Sequence, residues 1–212
     1  MEIPTVLSSE PAEYLVERSR FIGQTFRLTD PEALAESLEA MKAAYPGANH
    51  YTWAYRIDET HLRASDNGEP QGTAGLPMLH ILQRQGWEET LVVVVRYFGG
   101  IKLGRGGLVH AYQKSAQQAL DHTVPGVVKE IRTLQIRIDY ASYDRVQHAL
   151  EPLVTTLDAE FSADVGIRAT LEKARWPDVE AALDAAARGS WTCVGTHDAL
   201  ELVPLTDGKT DE

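Results

Sequence analysis

The chain has one cysteine, Cys193, so it can form no internal disulfide. Its apolar neighbours Trp191 and Val194 predict a buried strand position and a structural thiol rather than a nucleophile. No run of about 18 apolar residues occurs, so no membrane-spanning helix is expected. The start, Met1-Glu2-Ile3-Pro4, lacks the basic and apolar regions of a secretory leader. These absences predict a cytoplasmic protein with no membrane partner. Seven histidines are scattered, without a close His-x-x-x-His pair or a His-Glu-x-x-His sequence, so no metal site is expected. Positive charge is scarce as well: 20 Lys and Arg face 31 Asp and Glu, a net charge of −11. That balance argues against indiscriminate nucleic-acid binding and leaves room only for a local basic patch.

What is there is ordinary for a folded chain of 212 residues: 43% apolar and 24% charged, enough to bury a core. One stretch breaks the acidic trend. Thr90 to Leu120 contains Arg96, Lys102, Arg105 and Lys114 and not one Asp or Glu. It begins with Leu91-Val92-Val93-Val94-Val95, which predicts a strand buried on both faces. Five glycines follow within the nine residues Gly99 to Gly107. Behind them Leu108, Val109, Tyr112, Ala116, Ala119 and Leu120 repeat at helical spacing, so a helix is expected to open at Gly106-Gly107. Strand, glycine loop and helix can bring backbone N–H groups to an anion such as phosphate or sulfate. Small residues permitting a close backbone crossing explain the same glycines.

The loop fails two nucleotide motifs. Gly99-x-x-x-x-Gly104 has P-loop spacing, but Arg105-Gly106 stands where Lys and Ser/Thr are needed to hold phosphate and magnesium. From Gly104, the G-x-G-x-x-G pattern ends on Val109. No cofactor is therefore expected. Upstream, Asp66 and Glu69, with Asp58, invite a carboxylate pair for acid–base or metal chemistry. A turn with Asp66 on backbone N–H groups and Gly68 left-handed accounts for them as well. Ser65, His50 and Asp66 lack a nucleophile elbow, and no catalytic residue is assigned. Tyr97, Phe98 and Tyr112 flank the basic loop, where they could stack on bases or belong to the core.

In chain order, strands are expected within 1–28. A helix follows, capped by Asp30 with Pro31 first and ended by Pro46-Gly47. A strand spans His50–Ile57, and a polar turn Arg63–Gly72. The next helix has Thr73 as its cap and stops at Gly86. His122–Gly126 reads as a boundary, giving a first domain over 1–125, a second over 126–206 and a tail, 207–212, expected to fray. The second domain reads as a strand to Ile138 and a Ser142-capped helix over Tyr143–Leu157. Strands at Ala159–Ala163 and Val165–Leu171 follow, then a helix from Trp176 to Arg188 and a last strand or hairpin to Leu205. That order is the ferredoxin-like βαββαβ pattern of an α+β protein. Splitting charge at residue 126 leaves −4 before it and −7 after it, so a polyanion is expected to meet the first domain.

Two long motifs, Ser65-Asp66-Asn67-Gly68-Glu69-Pro70-Gln71-Gly72-Thr73-Ala74-Gly75 and Val92 through Tyr112, in that order, resemble the signature of the IMPACT/YigZ family. The likeness covers roughly residues 15–122. The resemblance implies a first domain built as an α/β sandwich like the second domain of a small-subunit ribosomal protein. It implies a second domain like the ferredoxin-like C-terminal domain of elongation factor G. It further implies a translation-associated regulator that binds RNA or the ribosome. Two positions depart from the family pattern: Tyr51-Thr52 replaces Asn-Cys, and His110 stands for arginine. Three functions follow as expectations. In the first, RNA or the ribosome is bound through Arg96, Lys102, Arg105 and Lys114 with the N–H groups at Gly106 and Gly107. In the second, an enzyme sets Asp66 or Glu69 opposite an anionic metabolite at the same loop. In the third, the loop is a protein-interaction adaptor.

Overall fold

The computed structural model describes residues 2–205; the expected frayed tail lies outside the described residues. The chain divides into two compact units. One holds the residues up to Val127 and takes in 203–205; the other is Val128–Leu202. The fold is α+β with two domains.

In the first unit, β1 (Thr5–Ser9), β2 (Ala12–Val16) and β3 (Ser19–Arg27) come first. Asp30 accepts the Glu32 amide and caps a short 3₁₀ turn, Pro31–Ala33, that runs into α1 (Leu34–Ala44). Then come β4 (His50–Arg56), β5 (Leu62–Ser65), α2 (Gly75–Gln85), β6 (Thr90–Tyr97) and α3 (Gly104–Asp121). One antiparallel sheet has the order β2-β3-β6-β4-β5. β6 lies at its centre, and its Val92 and Val94 pack with Phe21 and Ala54 under Met78, Leu82, Leu108, Tyr112 and Ala116 of α2 and α3. Leu91, Val93 and Val95 face the other way, with Tyr55, onto Leu34, Leu38 and Met41 of α1. This is why the valine run lacks alternation: both faces are covered. Two elements differ from the sequence reading. Residues 62–65 pair with β4 as a strand, although Arg63 to Ser65 are polar enough to read as turn. Thr73 does not cap α2, because its hydroxyl donates to the Pro70 carbonyl.

The expected boundary at His122–Gly126 lies just before the division of the chain at Val127; its residues Thr123 to Gly126 are the first part of β7 (Thr123–Ile138), where they pair with β1. Pro125, which has no N–H, is tolerated because the β1 pairing shifts register beside it, between Val6 and Ser8.

The second unit continues along β7 into α4 (Tyr143–Leu150), β8 (Thr156–Phe161), β9 (Val165–Glu172), α5 (Trp176–Ala187) and β10 (Trp191–Pro204). Its strand order is β10-β7-β9-β8, the ferredoxin-like arrangement. Leu134, Ile136, Ile138, Ile167 and Leu171 pack against Val146, Leu150, Val179 and Leu183 of the two helices. Three expectations fail here. α4 stops at Leu150, and Leu157 belongs to β8. Ser142 occupies the N-cap position of α4 but gives no side-chain cap bond; Asp139 caps the preceding 3₁₀ turn, Tyr140–Ser142, by accepting the Ser142 amide at 2.7 Å. Cys193 is exposed, because β10 is an edge strand that, among the described residues, pairs only with β7. Among the described residues no helix is long and apolar enough to cross a membrane.

α3 approaches the sheet closely at Gly23, where an added Cβ would stand 2.8 Å from the Ser115 carbonyl oxygen. Gly23→Ala is therefore expected to destabilise the first unit by about 1–3 kcal/mol in urea unfolding. Gly195→Ala, with open space around it, should change stability by less than about 0.5 kcal/mol.

Candidate functional site at the amino-terminal end of helix α3

α2 and α3 lie side by side and run in the same direction. Arg105, at the start of α3, donates to the Gln71 carbonyl just before α2, and Gln85 at the end of α2 donates to Gln117. The two helix N-termini therefore open at one end of the unit. They are not equivalent. Asp66 fills the first: its Oδ1 accepts the amides of Ala74 and Gly75, and its Oδ2 that of Gly72. Burial pushes the Asp66 carboxyl up, but those three N–H groups and the Arg105 charge outweigh it and hold the pKa below the usual value. Asn67 and Gly68 take positive φ, as the turn reading expects. The carboxylate is a remote cap for α2.

Glu69 is also committed. It is 8% exposed, and its Oε1 accepts Arg96 Nη1 at 2.6 Å and the Tyr112 hydroxyl at 2.7 Å. His50 donates from Nδ1 to the Asn67 carbonyl at 2.9 Å, which turns Nε2 toward Glu69 Oε1 at 3.8 Å. Burial, then the Glu69 charge, drives the Tyr112 pKa far up, so the hydroxyl remains a donor. Arg96 is the main correction to the expected phosphate contacts. It is 5% exposed, ion-paired to Glu69, and lies between the rings of Phe21 and Phe98 at 5.3 and 5.4 Å. Neither Arg96 nor Glu69 is presented to a ligand, and Tyr112 is core rather than a stacking surface.

The second N-terminus is open. α3 begins at Gly104, two residues before the expected start, and Leu103 gives it no side-chain cap. Gly100 and Gly104 have φ of +86° and +69°, which turn the loop and which side chains rarely adopt. Gly99 is needed for packing, since an added Cβ would stand 2.0 Å from the Arg18 carbonyl carbon. Gly106 is different: its φ is not positive and nothing lies within 4 Å of an added Cβ. Glycine in a helix costs up to about 1 kcal/mol relative to alanine. Neither conformation nor packing accounts for it at this exposed position. Gly107 is only tight against Leu103, at 3.0 Å.

Lys102 and Arg105 are exposed around this opening, and neither forms an ion pair among the described residues. Lys114 is exposed too, but eight residues beyond Gly106, or about 12 Å further along the helix. Arg18 was missed by sequence reasoning. It is exposed at the β2–β3 turn, with its backbone against Gly99. The signal that finds it is register: Arg20 pairs with Tyr97, which carries Arg18 to the start of the glycine loop. Phe98 and Ile101 remain exposed here at 46% and 38%. Among the described residues no cluster of His, Cys, Asp and Glu could hold a metal ion.

Two outcomes follow from this geometry. Glu69→Gln leaves the Arg96 cation buried without its counter-charge and should cost about 3–5 kcal/mol in denaturant unfolding; adding Arg96→Met should recover much of that loss. The Asp66 cap contributes stability above the ordinary carboxylate pKa and loses it as pH falls through the depressed folded-state value. Asp66→Asn should therefore flatten the acid limb of a stability–pH curve and leave a smaller free energy at neutral pH.

A family model described as the Impact N-terminal domain matches residues 17–120, and one described as domain of unknown function DUF1949 matches residues 136–190. The chain is 40% identical over 150 residues to the IMPACT family member YvyE of Bacillus subtilis (strain 168), covering 69% of this chain and 68% of that protein. It is 33% identical over 180 residues to the IMPACT family member YigZ of Escherichia coli (strain K12), covering 82% and 88%. A solved structure, described as the crystal structure of a hypothetical protein, overlays with a TM-score of 0.58 at 31% identity, over 98% of this chain and 99% of that one. The chain therefore belongs to the IMPACT family.

Proposed function

We propose that this protein is a translation-associated regulator that binds RNA, free or within the ribosome, through the open N-terminus of α3 and its basic rim. The observation that carries the reading is the contrast between the two parallel helix ends. One is closed by Asp66, and the other is left uncapped among Lys102, Arg105 and Arg18. Uncapped N–H groups and the helix dipole favour an anion, and the cations add long-range attraction. The link to translation is what the resemblance to the IMPACT/YigZ signature implies, and membership of that family is established. The carboxylates expected of an enzyme are both engaged in holding the fold, which favours a binder over a catalyst.

Charge reversal of Lys102 and Arg105 together is expected to weaken RNA or ribosome co-sedimentation. Loss of two phosphate contacts should reduce the slope of log K against log salt by roughly 1.4 for a single strand. Unchanged affinity and slope would remove the reading. Gly106→Ala offers a second check. Filling open space in a helix, it should raise stability by about 0.5–1 kcal/mol and yet weaken RNA binding, because the methyl group covers the helix end. A variant that is more stable and binds as before would show that the glycine has no role.

A further inference from the structure

We propose that the outward face of Phe98 is a stacking subsite for an unpaired nucleobase, next to the phosphate-directed end of α3. The proposal rests on the RNA reading of that end. Three observations carry it. Phe98 is 46% exposed, at the start of the basic loop. It is also held in place. The Phe98 amide donates to Asn49 Oδ1 at 2.8 Å, and the following Gly99 amide donates to Ser19 Oγ at 3.2 Å. The guanidinium of Arg96 stands 5.4 Å from the ring centroid, and Phe21 lies 5.3 Å from the same guanidinium. Glu69 and Tyr112 fix that cation in turn. An exposed ring positioned by a buried ion pair is a prepared surface rather than a loose side chain.

The surroundings select the ligand. Phe98 and Ile101 are the exposed large apolar residues of this loop, with Gly99 and Gly100 between them, Lys102 after them and the half-buried Tyr97 and Leu103 on either side. A protein partner docking by apolar contact needs a contiguous patch of several hundred Å². A nucleotide needs one flat apolar face for the base and cationic or N–H donors for the phosphate, and both are present. A duplex keeps its bases stacked inside, so the subsite takes a single strand or a looped-out base. In this arrangement Phe98 touches the ligand, and Arg96 and Glu69 act as positioning residues behind it.

The test compares a labelled single-stranded RNA with a duplex of the same sequence by fluorescence anisotropy. The proteins are wild type, Phe98→Ala, Phe98→Leu, Phe98→Trp and the Lys102→Glu/Arg105→Glu double variant. Wild type should prefer the single strand. Phe98→Ala and Phe98→Leu should each weaken it by roughly 5- to 150-fold, the worth of one stacked base, with little effect on the duplex. Phe98→Trp should retain affinity and show fluorescence quenching on binding. The leucine variant keeps apolar bulk over Arg96, so it serves even where alanine disturbs the fold. Wild-type affinity in both Phe98→Ala and Phe98→Leu overturns the subsite. Affinity retained in leucine but lost in alanine also overturns it, because apolar bulk over Arg96 and not a stacked ring then carries the binding. An unaffected double charge variant removes the RNA reading itself, and a wild type that binds neither RNA removes both.

Discussion

One buried carboxylate organises the loop end of the first unit. Glu69 lies in the turn before α2, Arg96 on the central strand and Tyr112 inside α3, and all three meet at Glu69 Oε1. A buried ion pair adds little net stability over an apolar core, because desolvation offsets most of the attraction. What it supplies here is placement. The same carboxylate ties the turn to β6 and to the helix that follows it, and so determines where the glycine loop can run. Asp66, three residues earlier, does the same for α2 through backbone donors. The acidic residues of the Ser65–Gly75 motif are thus engaged in building the basic opening.

This division of labour explains why charge counting along the chain was only partly informative. Four cations in the Thr90–Leu120 stretch read as one patch, but Arg96 is neutralised by a carboxylate 27 residues upstream. Lys114 lies well down the helix. Arg18 comes to the start of the glycine loop from a hairpin far away in sequence, through strand pairing and the close approach of its backbone at Gly99. Local sequence records which residues are charged; only the β3–β6 register and the turn before α2 decide which of them face solvent together.

Much of the fold was legible because its signals are local. The valine run of β6, Gly86 in the left-handed stop of α2 and Pro177 at the start of α5 each state their role in a few residues. The βαββαβ order of the second unit followed from alternating strand and helix patterns. Failures came where tertiary context overrides such signals. Polar β5 becomes a strand by pairing with β4, and Cys193 is exposed because β10 lies at a sheet edge. At the site, the glycines could be counted but not sorted. Coordinates separate Gly99, required by packing, from Gly100 and Gly104, required by φ, and from Gly106, required by neither.

The central claim is that the uncapped end of α3 is the face that meets RNA. Amide chemical-shift mapping with a short single-stranded RNA tests it most directly. The account predicts that the largest shifts fall on Lys102 through Gly107, with Phe98, Gly99 and Arg18, and that residues 128–202 move little. Shifts concentrated in the second unit, or spread evenly with none at the start of α3, would contradict it.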